Sequence, residues 1–255
     1  MTKSARTFYL LSGILSVALS GCSSPEDPAL TFSIPQAGFE VVQQLPTDQR
    51  AGSGNPLYLP PREVTTEEFG SPELQLFVDS MYRVMRRTAG VGIAANQLGK
   101  RLQIFMIEAE ADNPRYKVLG AVPKQVFINP KITSASKAVR NFWHGCLSAK
   151  GKLRGNVATH AWIEYTCQSM DGSTLIGRLD GFAAVIFQHE FRHMLGGTYL
   201  DHANHRVPKP KLDSLIASGV LPFFETCADT IPLLVSGYQL GESLTEFHQR
   251  VGTQP

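Results

Sequence analysis

His189-Glu190-Phe191-Arg192-His193 sets two imidazoles four residues apart, with a carboxylate beside the first. On a helix, residues four apart share one face, one turn above the other. His189 and His193 can then hold one metal ion. Glu190 stands close enough to take a proton from a water that such an ion acidifies. A catalytic ion of this kind takes three protein ligands and keeps one position open. Cys146, in His144-Gly145-Cys146-Leu147-Ser148, is the best third ligand. Its alternative is a buried apolar cysteine. The alternative for the histidines is a surface helix carrying both by accident.

The elements that must position these groups follow from spacing. Asp180 can cap a helix, Phe182, Val185, Ile186 and Phe187 give it apolar bulk, and Gly196-Gly197 can end it. Ser71-Pro72-Glu73 opens another helix over about 71–88, with Leu74, Phe77, Val78, Met81, Val84 and Met85 at helical spacing as its core stripe. Gly90 to Gln97 contains two glycines and two alanines, which implies backbone approaching something closely. Strands are expected from Phe39, over 102–107, over 126–130 with Pro130 ending it, over 161–168, and over 175–179 after a turn at Asp171-Gly172. Residues 46–66 read as a loop, and 211–217 and 242–251 as short helices. Strands gather ahead of one central helix without β-α-β alternation. The class is therefore α+β, with mixed or antiparallel strands around the helix that carries the two histidines. His202, His205 and His248 read as surface residues rather than ligands.

The 255 residues, 43% of them hydrophobic, suit one domain with extensions. Lys3 and Arg6 precede an apolar run from Phe8 to Leu19, too short to span a bilayer as a helix but long enough for a signal-peptide core. Leu19-Ser20-Gly21-Cys22 then reads as a lipoprotein signal, with cleavage before Cys22 and lipid on its thiol. Ser23 and Ser24 point to the periplasmic side of the outer membrane. The expected organisation is a leader over 1–21, a tether over 22–38, a domain over 39–205 and a C-terminal extension over 206–255. Loss of the leader leaves 22 basic and 22 acidic residues, so no basic patch marks a nucleic-acid partner. Membrane contact would come from the lipid. Three cysteines remain, and Cys167 with Cys227 could pair.

Three segments together resemble the three motifs of peptide deformylase, in the same order. They are Gly90-x-Gly92-x-Ala94-Ala95-x-Gln97, then Gly145-Cys146-Leu147-Ser148, then Gln188-His189-Glu190-x-x-His193. The resemblance covers about residues 39–205. It implies removal of formyl from formyl-methionyl peptides, with release of formate. It implies a metal on Cys146, His189 and His193, Fe(II) in cells, with Zn, Ni or Co as substitutes. It gives Glu190 the proton transfers, and gives the Gln97 amide and the Leu147 backbone N–H the developing oxyanion. Val91 and Gly92 would pair with the extended peptide as an added strand, and Val185 and Ile186 would line the methionine pocket.

Two departures stand out. The second motif normally opens with Glu, and here it is His144; the third normally has Asp where this chain has Arg192. A third, softer one puts Thr159 where an Arg is often found. His144 and Arg192 are expected to brace the site rather than hold the metal, and to change its local field. They support a rival reading, a protein that binds metal or formyl peptides without turnover. A second rival is a metalloprotease using the same His-Glu-x-x-His.

Overall fold

In the computed structural model, which describes residues 38–113, 116–149, 153–203, 205–218, 224–226 and 233–252, Ser71 opens the first helix as expected. Its side chain accepts the Leu74 N–H at 3.2 Å, ahead of α1, Pro72–Arg87. Leu74, Phe77, Val78, Met81, Val84 and Met85 are all buried along one face. Such side chains each contribute roughly 1.5–3 kcal/mol when fully buried.

Strands β1 (Gly92–Ala94), β2 (Ile104–Ala109), β3 (Val122–Ala135), β4 (Val139–His144), β5 (Leu153–His160), β6 (Trp162–Gln168) and β7 (Thr174–Asp180) lead into the central helix α2, Gly181–Met194. Strand β8 (His205–Pro208), helix α3 (Lys209–Ala217), strand β9 (Phe224–Thr226) and helix α4 (Leu244–Val251) follow. The strands form two antiparallel sheets, ordered β1-β2-β3-β6-β7 and β8-β5-β4-β9.

Ile104 to Ile107 of β2 form an apolar run because that part of the strand is covered on both faces. Ile104 and Met106, with Ile128 of β3, pack toward α1. Phe105 and Ile107, with Phe127, pack toward α2. Phe105, Phe127 and Phe187 of α2 meet with ring centroids 4.9–5.0 Å apart, which fixes the helix against the sheet.

Three expectations need correction. The segment from Phe39 is not a strand. The Val42 N–H donates to Gln97 O and the Gln44 N–H to Ser148 O, both at 2.8 Å, so its bonds go to two separate partners rather than one ladder. Strand β3 does not end at Pro130. Asn129 takes φ 49°, and the register against β6 shifts between Ile128 and Lys131, so the missing N–H of Pro130 falls in a bulge. Asp180 precedes α2 with extended backbone, but makes no capping bond; its carboxylate accepts instead from Arg178 at 3.0 and 3.1 Å.

Beyond residue 205 the chain joins the same sheets. Strand β8 pairs with β5 and β9 with β4. Leu244 and Phe247 of α4 enter the core. His248, expected at the surface, is half-buried, and its Nε2 lies 2.8 Å from the Met194 carbonyl at the end of α2. Cys167 is a buried free thiol. Its suggested partner Cys227, together with the leader, Cys22 and the tether to residue 37, lies outside the described residues. Among those residues no helix is long and apolar enough to cross a membrane.

Candidate metal centre

Helix α2 brings the two histidines together, and packing at both ends fixes it. Gln188 exchanges bonds with the β5 terminus, accepting the His160 N–H at 2.9 Å and donating to His160 O at 3.0 Å. The Asn96 side chain donates to His193 O at 2.7 Å. Gly196, at φ +86°, turns the chain out of the helix.

Cys146 follows β4 and faces these histidines. Its Sγ is 3.2 Å from His193 Nε2. One ligand atom from each of Cys146, His189 and His193 falls within 4.8 Å of the others, a group that could hold a metal ion. The donor set fits such an ion. Burial pulls His189 down to about 3 and His193 down to about 4, so both imidazoles are neutral, the form that ligates. Burial, reinforced by Glu190, pushes the Cys146 thiol up to about 12, so an adjacent cation is needed to hold it as thiolate. Glu190 is buried, its carboxyl is held well above the usual carboxylate range by desolvation, and its Oε2 has no hydrogen-bond partner. A buried orphan oxygen beside three donors is suited to meeting a reacting molecule.

Gln97 is held from behind. Its Oε1 accepts the Ala94 N–H at 2.8 Å, which aims the amide nitrogen at Cys146 Sγ, 3.4 Å away, and Ser148 Oγ, 3.1 Å away. The glycines are explained by close approach. A Cβ on Gly92 would lie 2.3 Å from Glu190 Oε1, and one on Gly145 would lie 1.8 Å from an Arg154 nitrogen. Leu147, Val91, Val185 and Ile186 line one cleft of about 230 Å³ with Cys146, His189, Gln97 and Glu190. Strand β1 ends its sheet, so among the described strands only β2 pairs with it.

The departures are also accounted for. His144 does not join the three donors; its Nδ1 is 3.1 Å from His189 Nδ1, and burial with the nearby His189 lowers its pKa well below the usual histidine range. The two rings lie nearly parallel at 5.2 Å, with Tyr199 beside them. Arg192 is not among the residues that line the cleft; it lies 3.6 Å from Asp201, which also receives Arg50 at 2.7 Å. Thr159 is buried on β5 and its hydroxyl donates to Arg140 O at 3.4 Å. Sequence reasoning missed Arg154, Tyr116, Phe142 and Lys209, which also line the cleft. Arg154 carried a weak signal, the one Arg or Lys in strand β5.

The polypeptide deformylase family model matches residues 54–209. The chain belongs to the peptide deformylase family. A deformylase named peptide deformylase 2 from Pseudomonas putida is 42% identical over 51% of this chain and 72% of its own. A Leptospira biflexa deformylase is 33% identical over 58% and 83%. Among solved structures, a class I type b deformylase from Acinetobacter baumannii bound to Met-Ala-Ser has a TM-score of 0.58 at 26% identity, covering 64% of this chain and 96% of that one. A probable deformylase from a Synechococcus phage has a TM-score of 0.53 at 27% identity, covering 64% and 99%. The deformylase family and fold are thus those of this chain.

Proposed function

We propose that this deformylase family member hydrolyses the formyl group from formyl-methionyl peptides and releases formate. The observation that carries this reading is the meeting of Cys146, His189 and His193 within 4.8 Å, where Cys146 and His189 line the same cleft as buried Glu190, whose Oε2 has no hydrogen-bond partner. Those three residues would hold one divalent ion, Fe(II) in cells, with Zn, Ni or Co as substitutes. When bound, the ion supplies Lewis acidity, polarising the formyl carbonyl and acidifying water.

The remaining work falls to the chain. Glu190 takes the proton of the attacking water and delivers it to the leaving amine. Desolvation raises its pKa, which makes the carboxylate a stronger base toward the water. The Gln97 amide and the Leu147 backbone N–H donate to the oxyanion as it develops. Val91 and Gly92 guide the peptide along the open edge of β1, and Val185 and Ile186 contact the methionine side chain. Met-Ala-Ser in the Acinetobacter deformylase supports a peptide in this cleft. The apolar leader and Cys22 support an exported lipoprotein at the periplasmic face of the outer membrane. Its substrates are then formyl peptides outside the cytoplasm.

His144 and Arg192 favour a second reading, a protein that binds metal and peptide without turnover. Formate release from formyl-Met-Ala by protein loaded anaerobically with Fe(II), Ni or Co decides between them. Turnover that vanishes in Glu190→Ala supports the hydrolase. A fully loaded protein that releases no formate sinks it.

A further inference from the structure

The segment from Phe39 forms no ladder, yet its bonds reach residues assigned to the reaction. The Val42 N–H donates to Gln97 O, and the Gln44 N–H to Ser148 O. These are backbone bonds, open to any sequence. Gln43 adds a side chain to them, and its Nε2 donates to Leu147 O at 3.2 Å. Gln43 is not among the residues that line the cleft. We propose that Gln43 is a positioning residue, which fixes from outside the cleft the turn that carries Cys146 and Leu147. This inference rests on the deformylase reading and adds a residue to that site.

The Ala149 N–H donates to Cys146 O at 3.2 Å, which closes a four-residue turn over 146–149. That bond leaves the central peptide unit, Leu147 C=O with Ser148 N–H, to find partners of its own. It has one at each end. Leu147 O receives the Gln43 amide, and the Ser148 N–H donates to Cys146 Sγ at 3.4 Å. A peptide unit is planar, so holding its carbonyl also aims its N–H. Gln43 thereby keeps a donor on the sulfur. Hydrogen bonds to a ligating sulfur tune the metal it holds. The same turn carries the Leu147 N–H, given to the oxyanion, and its Ser148 Oγ receives the Gln97 amide at 3.1 Å.

Gln43 is itself held in this pose. Its amide also donates to Val41 O at 2.9 Å, and Asn55 Nδ2 donates to its backbone carbonyl at 2.9 Å. Gln44 supplies the contrast. Its side chain turns elsewhere and accepts from Thr198 Oγ1 at 2.7 Å, beyond the end of α2. Two adjacent glutamines of one segment thus serve different places, and only the side chain of Gln43 bonds to the turn.

The test compares Gln43→Met, unbranched and without a donor, with Gln44→Met in the cobalt-loaded full chain. The sulfur-to-cobalt charge-transfer band reports on the Cys146 sulfur whether or not the protein turns over. In Gln43→Met the band is expected to shift, with kcat for formate release from formyl-Met-Ala about tenfold lower, the scale of one hydrogen bond, and KM unchanged. That is less than the roughly 10²–10³ lost with an oxyanion donor itself. Gln44→Met should lower stability and leave band and kcat as in the wild type. A wild-type band in Gln43→Met, an unchanged kcat where the wild type turns over, or an equal shift in Gln44→Met overturns the inference. Gln43→Asn, one methylene shorter, answers the same question where the methionine variant does not fold. If neither folds, the residue holds the fold and not the site, and the inference falls. A band shift confined to the Gln43 variants, in a chain that releases no formate, keeps the inference and refutes the hydrolase. Formate release with an unmoved band does the reverse.

Discussion

Gly92→Ala is the sharpest probe of how Glu190 is positioned. The new methyl would stand 2.3 Å from Glu190 Oε1, 2.7 Å from Cδ and 2.8 Å from Cγ. Ordinary contact begins at 3.4 Å, so Oε1 must retreat by about 1.1 Å. Glu190 is only 3% exposed and has packed neighbours behind it, so the strain is shared with the core. Overpacking of this kind costs typically 1–3 kcal/mol. A misplacement of about 1 Å at the proton-transfer group costs roughly 10²-fold in rate. The expected result is a protein that folds, keeps its metal, loses about 1–3 kcal/mol in urea denaturation and about a hundredfold in kcat for formate release. Metal content is read by elemental analysis, so that a lost ion is not mistaken for a displaced acid. Adding Glu190→Asp shortens the acid and should recover part of the stability but none of the rate, a coupling that a double-mutant cycle measures. Wild-type turnover in a metal-replete Gly92→Ala protein would refute the assignment of Glu190 as the group that glycine accommodates.

Three further outcomes follow from the geometry. His144→Phe removes the partner of His189 Nδ1 and should weaken metal affinity about 10- to 100-fold in chelator competition; unchanged affinity would show that the bond orients nothing. The metal-free protein should lose stability as pH falls below 6.5. His189 and His193 bind their protons in the unfolded chain near 6.5 but only at about 3 and about 4 when folded. The unfolded state therefore binds more protons in that window, and stability rises with pH there by up to about 1.4 kcal/mol per pH unit for each histidine. A melting temperature that is flat between pH 6.5 and 4.5 contradicts this. Asp201→Ala strips the carboxylate from Arg50 and Arg192, whose side chains are only 16% and 10% exposed. It should destabilise by about 3 kcal/mol, because two guanidiniums are left facing each other, and a shift in urea midpoint below a third of that would count against a structural role for the pair.

What was legible in the chain was what is local. A serine cap, a helical stripe, a two-residue turn and an i, i+4 pair of histidines all act within a few residues, so α1, the β6–β7 hairpin and α2 followed from spacing. What was missed depends on contacts far along the chain. Glycine at 92 announces close approach, but that the approaching group is Glu190 needs the packing of α2 on β1. Pro130 was expected to break a strand because its missing N–H was charged to a regular ladder, and the bulge at Asn129 removes that charge. Arg154 belongs to no motif and matters because β5 lies beside the loop that carries Cys146.

The same distinction bears on His144 and Arg192. In sequence they resemble two lost carboxylates and hence a damaged centre. In the fold each has found a partner, and the partners differ in kind. Arg192 pairs with Asp201 away from the cleft, its Nε left without a hydrogen-bond partner, so its effect on the reacting groups reaches them through the helix rather than through contact. His144 touches a proposed metal ligand directly, and it does so as a neutral ring, since burial and His189 disfavour its charged form. A neutral partner orients an imidazole as a carboxylate would, but lends it less electron density. On the proposed function, a metal held there would keep its three donors and be more electrophilic, and the formate assay decides whether that tunes the chemistry or stops it.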